Sequence, residues 1–346
     1  MRRFLDKLRP NRSDDDDVKV KGKPQPRYYG TITPSQNFNA SNDAKVLKSA
    51  IESKGVDEDV IIAVLVKRSN EQRQKIKAVY EASAGKKLEQ DLDDVLKFKD
   101  RDLEAVTLAM LMTPAHFDSS LIRKATKRLG TDEEILIEIL VTRSNREIRD
   151  IKRVFKEEYG KDLEEVIKDE TSGTFCHALL ELLRAEREES HDVNVKKARE
   201  DAHTLFDSGE NKGDICEATF IDILTSRSEP QLMKTLQIYK EELGETSLPK
   251  LMQKELKGDI EDCFISLVKC AWNTPAFFAE KLHEAMKGHG TCEDTLIRIL
   301  VSRSEIDLKK IVAEYRGMYG KPIQEDILND TKGHYQAVLL GLCGPH

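Results

Sequence analysis

Four related segments dominate the chain: "LVKRSNEQRQKIKAVY", "LVTRSNREIRDIKRVF", "LTSRSEPQLMKTLQIY" and "LVSRSEIDLKKIVAEY", with Arg-Ser pairs that begin at Arg68, Arg143, Arg227 and Arg303. The pairs stand 75, 84 and 76 residues apart. A unit that recurs at this period commits the chain to a repeat architecture, because every copy must fold the same way and bury its apolar face against its neighbours. The four copies fill the chain from about residue 42 to the end.

The punctuation inside each copy is helical. Ser69, Ser144 and Ser228 are followed three residues later by Gln72, Glu147 and Gln231, the spacing of a capping box, and Asp307 after Ser304 puts negative charge into a first turn. The segment before each cap is apolar nearly all round, as in "ILIEILV" from Ile135 to Val141, which predicts the buried helix of its bundle. The segment after it carries apolar residues at Ile148, Ile151, Val154 and Phe155, one stripe of a half-buried helix. About five short helices per copy and no persuasive alternating run predict an all-α protein of four repeats.

The joins set the expected domain plan: a tail over 1–41, repeats over 42–113 and 114–185, a charged linker over 186–198, and repeats over 199–273 and 274–346. Short "LMTPAHF" and "WNTPAFF" joins link copies one to two and three to four, whereas the middle join, "RAEREESHDVNVKKARED", is long and charged. This predicts two halves, one plus two and three plus four. Trp272, the only tryptophan, falls at a join and is expected to pack there.

Composition excludes several classes. With 34% charged residues and a net charge of -7, the chain has no sequence-wide basic surface to grip nucleic acid, so none is expected as a partner. The longest apolar runs, "VIIAVLV" and "AVTLAMLM", fall far short of the ~20 residues that span a bilayer. Charges interrupt the amino end "MRRFLDKLRP", so no signal peptide is expected and the protein should be cytoplasmic and soluble. The six cysteines, from Cys176 to Cys343, have neither paired nor zinc-like spacing and read as reduced, mostly buried thiols. Scattered histidines, and the lack of a phosphate loop or nucleophile elbow, argue against an enzyme.

One further element repeats. The loop "KGHGT" around Gly288 and Gly290 can turn with positive φ and point successive carbonyls outward. Thr291 with Asp294, and Thr131 with Glu134, predict caps for the helices that follow. An acid stands 42 residues after each loop, from Gly288 to Asp330, Arg128 to Glu170 and Gly213 to Glu255, each three residues before a glycine in "DTKG", "ETSG" and "ELKG". Carbonyls plus one carboxylate make a hard oxygen site too sparse to complete the six to eight ligands of Ca2+. Open positions suit an ion shared with lipid phosphate, which would let an acidic protein dock on an acidic membrane. The rival reading is a calcium-independent helical scaffold, for which the loops are only tight connections.

The fourfold repeat, the "KGHGT" loop with its Asp330 and the "RS" helix starts together resemble the annexins over about residues 42 to 346. The resemblance implies a slightly curved disk of five-helix repeats that binds calcium and acidic phospholipid on one face, with roles in membrane aggregation, trafficking and repair and in phospholipase inhibition. It also implies a nuclear or unconventionally secreted pool. Carried over by position, the calcium ligands are the carbonyls of Met286, Gly288 and Gly290 with Asp330 in copy four. Copy two offers Thr126, Arg128, Gly130, Thr131 and Glu170, with Arg128 weakening the site. Copy one offers Gly55, Val56 and Glu58, with Glu104 anchoring a second position. Copy three offers Gly209, Lys212 and Glu255, with Ile215 and Cys216 where Gly and Thr belong. In the tail, Phe4, Leu5 and Leu8 share a helical face with Met1, which by the same resemblance implies recruitment of a small EF-hand dimer.

Overall fold

The computed structural model describes residues 28–127, 130–209, 216–243, 248–288 and 290–344. Every regular element among them is helical. The first repeat contains α1 (Ala40–Glu52), α2 (Glu58–Leu65), α3 (Asn70–Ala84), α4 (Leu88–Leu96) and α5 (Arg101–Leu111). The second contains α6 (Pro114–Lys127), α7 (Glu133–Thr142), α8 (Asn145–Tyr159), α9 (Leu163–Glu170) and α10 (Gly173–Leu183). The third has α11 (Val195–Gly209), α12 (Glu217–Ser226), α13 (Glu229–Ile238) continued by a π-turn (Tyr239–Leu243), and α14 (Leu248–Glu255). A long α15 (Asp259–Ala285) closes the third repeat and opens the fourth, which continues with α16 (Glu293–Arg303), α17 (Leu308–Tyr319), α18 (Ile323–Asp330) and α19 (Gly333–Cys343). α15 bends at Asn273, whose backbone leaves the helical region (φ -165°, ψ 95°) and whose side chain accepts from Ala276 N–H. Trp272 precedes that bend, half-buried, as its place at a join predicts.

The Arg-Ser pair has a structural purpose in each of the first three repeats. Arg68, Arg143 and Arg227 reach back to Asp43, Asp118 and Asp201 with two-pronged hydrogen bonds of 2.6 to 3.0 Å. The Arg143 pair is buried; burial disfavours its charge, but Asp118 overcomes this and holds the guanidinium protonated. Ser69, Ser144 and Ser228 each accept from the N–H three residues on. Full capping boxes form at Ser69 and Ser144. Gln231 pairs with the main chain of Asn194, as Gln72 does with that of Ser35.

The fourth repeat departs from this plan. Phe278 occupies the position of the upstream aspartate, so Arg303 turns forward to Asp307 at 2.8 Å and lies 4.8 Å from the Phe278 ring centroid. Asp307 is thereby drawn away from a capping box, α16 runs on to Arg303, and Ser304 is not the expected helix start. Its carbonyl instead receives the N–H groups of Thr31 and Ile32.

The chain forms two compact units, residues 1–113 with 278–346, and residues 114–277. The pairing is therefore repeat one with four and repeat two with three, which corrects the halves expected from the joins. In the first unit α5 packs against α16 and α19, and α19 against α2. Glu305 accepts from Asn70 N–H at the start of α3. In the second unit α10 packs on α12, and Glu189 of the charged linker accepts from Asn145 N–H at the start of α8. The linker is thus tied to its unit by hydrogen bonds as well as solvated. Of the six cysteines, none in a disulfide, Cys263, Cys270 and Cys343 are buried and Cys216 and Cys292 exposed.

Candidate metal centre

Each repeat joins its first helix to its second through a loop closed by one main-chain hydrogen bond. Asp57 N–H donates to Ala50 O (2.9 Å), Asp132 to Ala125 (3.0 Å), Cys216 to Ser208 (3.1 Å) and Cys292 to Ala285 (2.8 Å). These donors are the N-cap residues of α2, α7, α12 and α16. The third loop is one residue longer than the others, so Cys216 matches Cys292 and not Thr291. This corrects the register expected for copy three.

The same register moves the threonines out of the capping position. Asp132 caps α7 through Ile135 N–H, and Cys292 precedes α16. Thr131 and Thr291 stand one residue earlier and turn across to the loop between the fourth and fifth helices of their own repeat. Thr131 donates to Glu170 O at 3.1 Å. The Thr291 hydroxyl lies 3.1 Å from Asp330 O and 2.5 Å from its carboxylate, its single proton shared between them. The predicted Thr291–Asp294 and Thr131–Glu134 boxes are therefore absent, and each threonine latches the two distant loops together. A threonine beside a helix start reads locally as a cap, which is why sequence reasoning missed this role.

In the fourth repeat the helix tightens as it ends, with Met286 N–H on His283 O and Lys287 N–H on Glu284 O. The carbonyls that follow have no further helical turn to bond into. Gly288 and Gly290 then adopt φ of 106° and 96°, a backbone that L side chains resist, although a Cβ at either would meet nothing within 4 Å. Glycine is required here for its dihedral alone. Asp330, the last residue of α18, is held against this loop by Thr291. Among the described residues no three His, Cys, Asp or Glu side chains converge to hold a metal. An ion at this place must draw on main-chain oxygen beside one carboxylate, a donor set that suits a hard cation such as Ca2+.

The other repeats vary this arrangement. In the second, Gly130 has φ 88° and Thr131 brings Glu170 to the loop, while Thr126 is buried with its hydroxyl on Ile122 O. Arg128 lies outside the described residues. In the third, Gly209 is buried in the last turn of α11, where a Cβ would stand 2.4 Å from Leu251, so its glycine serves packing. Glu255 ends α14 beside Lys254 at 2.6 Å, and Lys212 is outside the described residues. Phe4, Leu5 and Leu8 are likewise outside them.

In the first repeat Gly55 and Val56 have φ of 103° and 54°. The Lys99 ammonium donates to Gly55 O at 2.7 Å and to Glu58 Oε1 at 3.0 Å. Burial pulls the Glu58 carboxyl upward, but hydrogen bonding and charge from Lys99 outweigh it and leave its pKa below the usual value. Lys97, the residue at the 42-residue spacing, pairs instead with Asp93 and Asp94. Glu104 sits close by, its pKa raised by burial and then by its hydrogen bond with Asp93.

Fold and loops together define a four-repeat helical protein whose connections present main-chain oxygen next to an acid. A family model described as Annexin matches residues 42–97, 117–182, 200–267 and 277–342. Annexin A1 of Rattus norvegicus is 50% identical over 313 residues, 90% of this chain and 89% of its own, and annexin A1 of Homo sapiens is 49% identical over the same length. Among solved structures, annexin III matches with a TM-score of 0.89 at 41% identity, covering 92% of this chain and 98% of its own. A calcium-bound annexin (Sm)1 matches with 0.82 at 30% identity, covering 92% and 93%. The chain belongs to the annexin family.

Proposed function

We propose that this chain is a peripheral, calcium-dependent binder of acidic phospholipid, with its principal ion site in the fourth repeat. The carbonyls of Met286, Gly288 and Gly290 and the Asp330 carboxylate would hold Ca2+. The observation that carries this reading is the Thr291 latch, which sets a carboxylate against a loop of positive-φ glycines. Bound there, calcium supplies the positive charge that lets a chain of net charge -7 meet an anionic headgroup. The chain's own part is to keep the loop turned outward before the ion arrives.

A second, weaker site in repeat two would use Thr126, Arg128, Gly130, Thr131 and Glu170. Among the described residues Thr131 donates to the Glu170 main chain, whereas Thr291 also reaches the Asp330 carboxylate, so the Glu170 carboxylate would be less firmly set. Gly209, Lys212 and Glu255 would give at most a remnant in repeat three, because Gly209 is committed to packing. Glu104 would anchor a minor position in repeat one. No helix among the described residues is long and apolar enough to cross a membrane, which accords with peripheral attachment.

On this reading the protein is not an enzyme, and any phospholipase inhibition would follow from covering the lipid substrate. The tail residues Phe4, Leu5 and Leu8 would be the place for an EF-hand partner. The test is sedimentation with phosphatidylserine vesicles: binding should need calcium and reverse with chelator. Vesicle binding indifferent to millimolar calcium would return the chain to the scaffold reading.

A further inference from the structure

The first-repeat loop already holds a cation. It shares the loop closure of the fourth repeat, and by that closure Gly55 matches Gly290, with φ of 103° against 96°. The loop therefore turns its Gly55 carbonyl outward and places Glu58 beside it, as a calcium loop would. Yet a lysine amine rather than an open position faces both oxygens, at 2.7 and 3.0 Å. The Glu58 side chain is only 14% exposed and that of Lys99 43%, so the charged pair is partly withdrawn from water.

We propose that Lys99 is a tethered substitute for calcium, which holds the first-repeat loop in its ion-bound shape at every calcium concentration and keeps the ion out. An ammonium has three donors, and two are spent on Gly55 and Glu58. Calcium could enter only by breaking both charge-assisted bonds and leaving a free positive charge next to itself. Val95 stands where repeats two and four have Glu170 and Asp330, and the nearby Lys97 amine is engaged by Asp93 and Asp94. On the remaining side His334 lies 3.5 Å from the exposed Asp59 carboxylate.

The inference deepens the calcium reading given above and rests on it, but it is separable by counting ions. Direct calcium binding, by equilibrium dialysis up to millimolar free ion, would compare the full chain with Lys99→Met, Lys99→Arg, Glu58→Gln and the Lys99→Met/Glu58→Gln double variant. Lys99→Met should gain one ion per chain, Lys99→Arg should match the parent, and the double variant should lose the gained ion. Glu58→Gln alone should leave the parent count unchanged. An unchanged count in Lys99→Met, or a count that falls by one in Glu58→Gln alone, would overturn the proposal. A parent chain that binds no calcium would sink the calcium reading instead, while a gain in Lys99→Met would still report on this loop.

Discussion

The first and fourth repeats share one unit and one loop, and differ in what the loop is given to hold. Both close with a main-chain bond of 2.8 to 2.9 Å across seven residues, and both place a positive-φ glycine two residues before the closing N–H, Gly55 at 103° and Gly290 at 96°. What differs arrives from about forty residues downstream: the Asp330 carboxylate in repeat four, the Lys99 ammonium in repeat one. Loop closure and its last glycine are thus the constant part of the design, whereas Ser53 at φ -64° stands where the fourth repeat has Gly288 at 106°. On the proposal above, the sign of one distant side chain decides whether a loop calls for an external cation or supplies its own.

The two repeats also differ in how they anchor their Arg-Ser corner, and this difference should produce the largest stability effect. Asp43→Ala strands Arg68 with no carboxylate and should cost about 3 kcal/mol, as for other broken buried pairs. Asp307→Ala in repeat four should cost about half as much, because Arg303 keeps the Phe278 ring. Urea midpoints of the two variants measure the gap; equal losses would show that the ring contributes nothing.

Gly55→Ala and Gly290→Ala sharpen the shared part. Each puts a Cβ into the same strained dihedral and should cost about 1–2 kcal/mol in stability, by thermal melts without calcium. Only Gly290→Ala should also weaken calcium binding. A calcium effect from both would mean that the two loops bind alike.

Thr291→Val should have the smallest effect. It keeps every proposed ligand and removes the latch, so half-maximal calcium should rise about threefold, ~0.6 kcal/mol, the lower end for the net loss of an ordinary hydrogen bond. No change in a calcium titration would mean that Asp330 needs no positioning.

Helices, their caps and the repeat period were legible because each is set by residues close in sequence. Ser69 with Gln72 and Ser144 with Glu147 announce helix starts wherever they occur. The pairing of repeats was hidden, because the joins say which copies are consecutive and not which bury their faces together. Ser304 misled for a related reason: the replacement of an aspartate by Phe278, 26 residues earlier, rewires Arg303 and removes the cap. At the site, the 42-residue spacing found Asp330 and Glu170 but pointed to Lys97 in repeat one, while the amine that reaches Gly55 is two residues further on. A flexible four-carbon stem makes such reach unreadable from spacing.

The most direct test of the account is a calcium titration of vesicle binding with phosphatidylserine membranes, comparing the parent chain with Asp330→Ala and Glu170→Ala. Asp330→Ala should raise half-maximal calcium about tenfold, a loss of ~1.4 kcal/mol at one site, and Glu170→Ala should raise it by a smaller factor. Equal shifts in both variants, or none in Asp330→Ala, would contradict the claim that the latched carboxylate of repeat four makes the principal site.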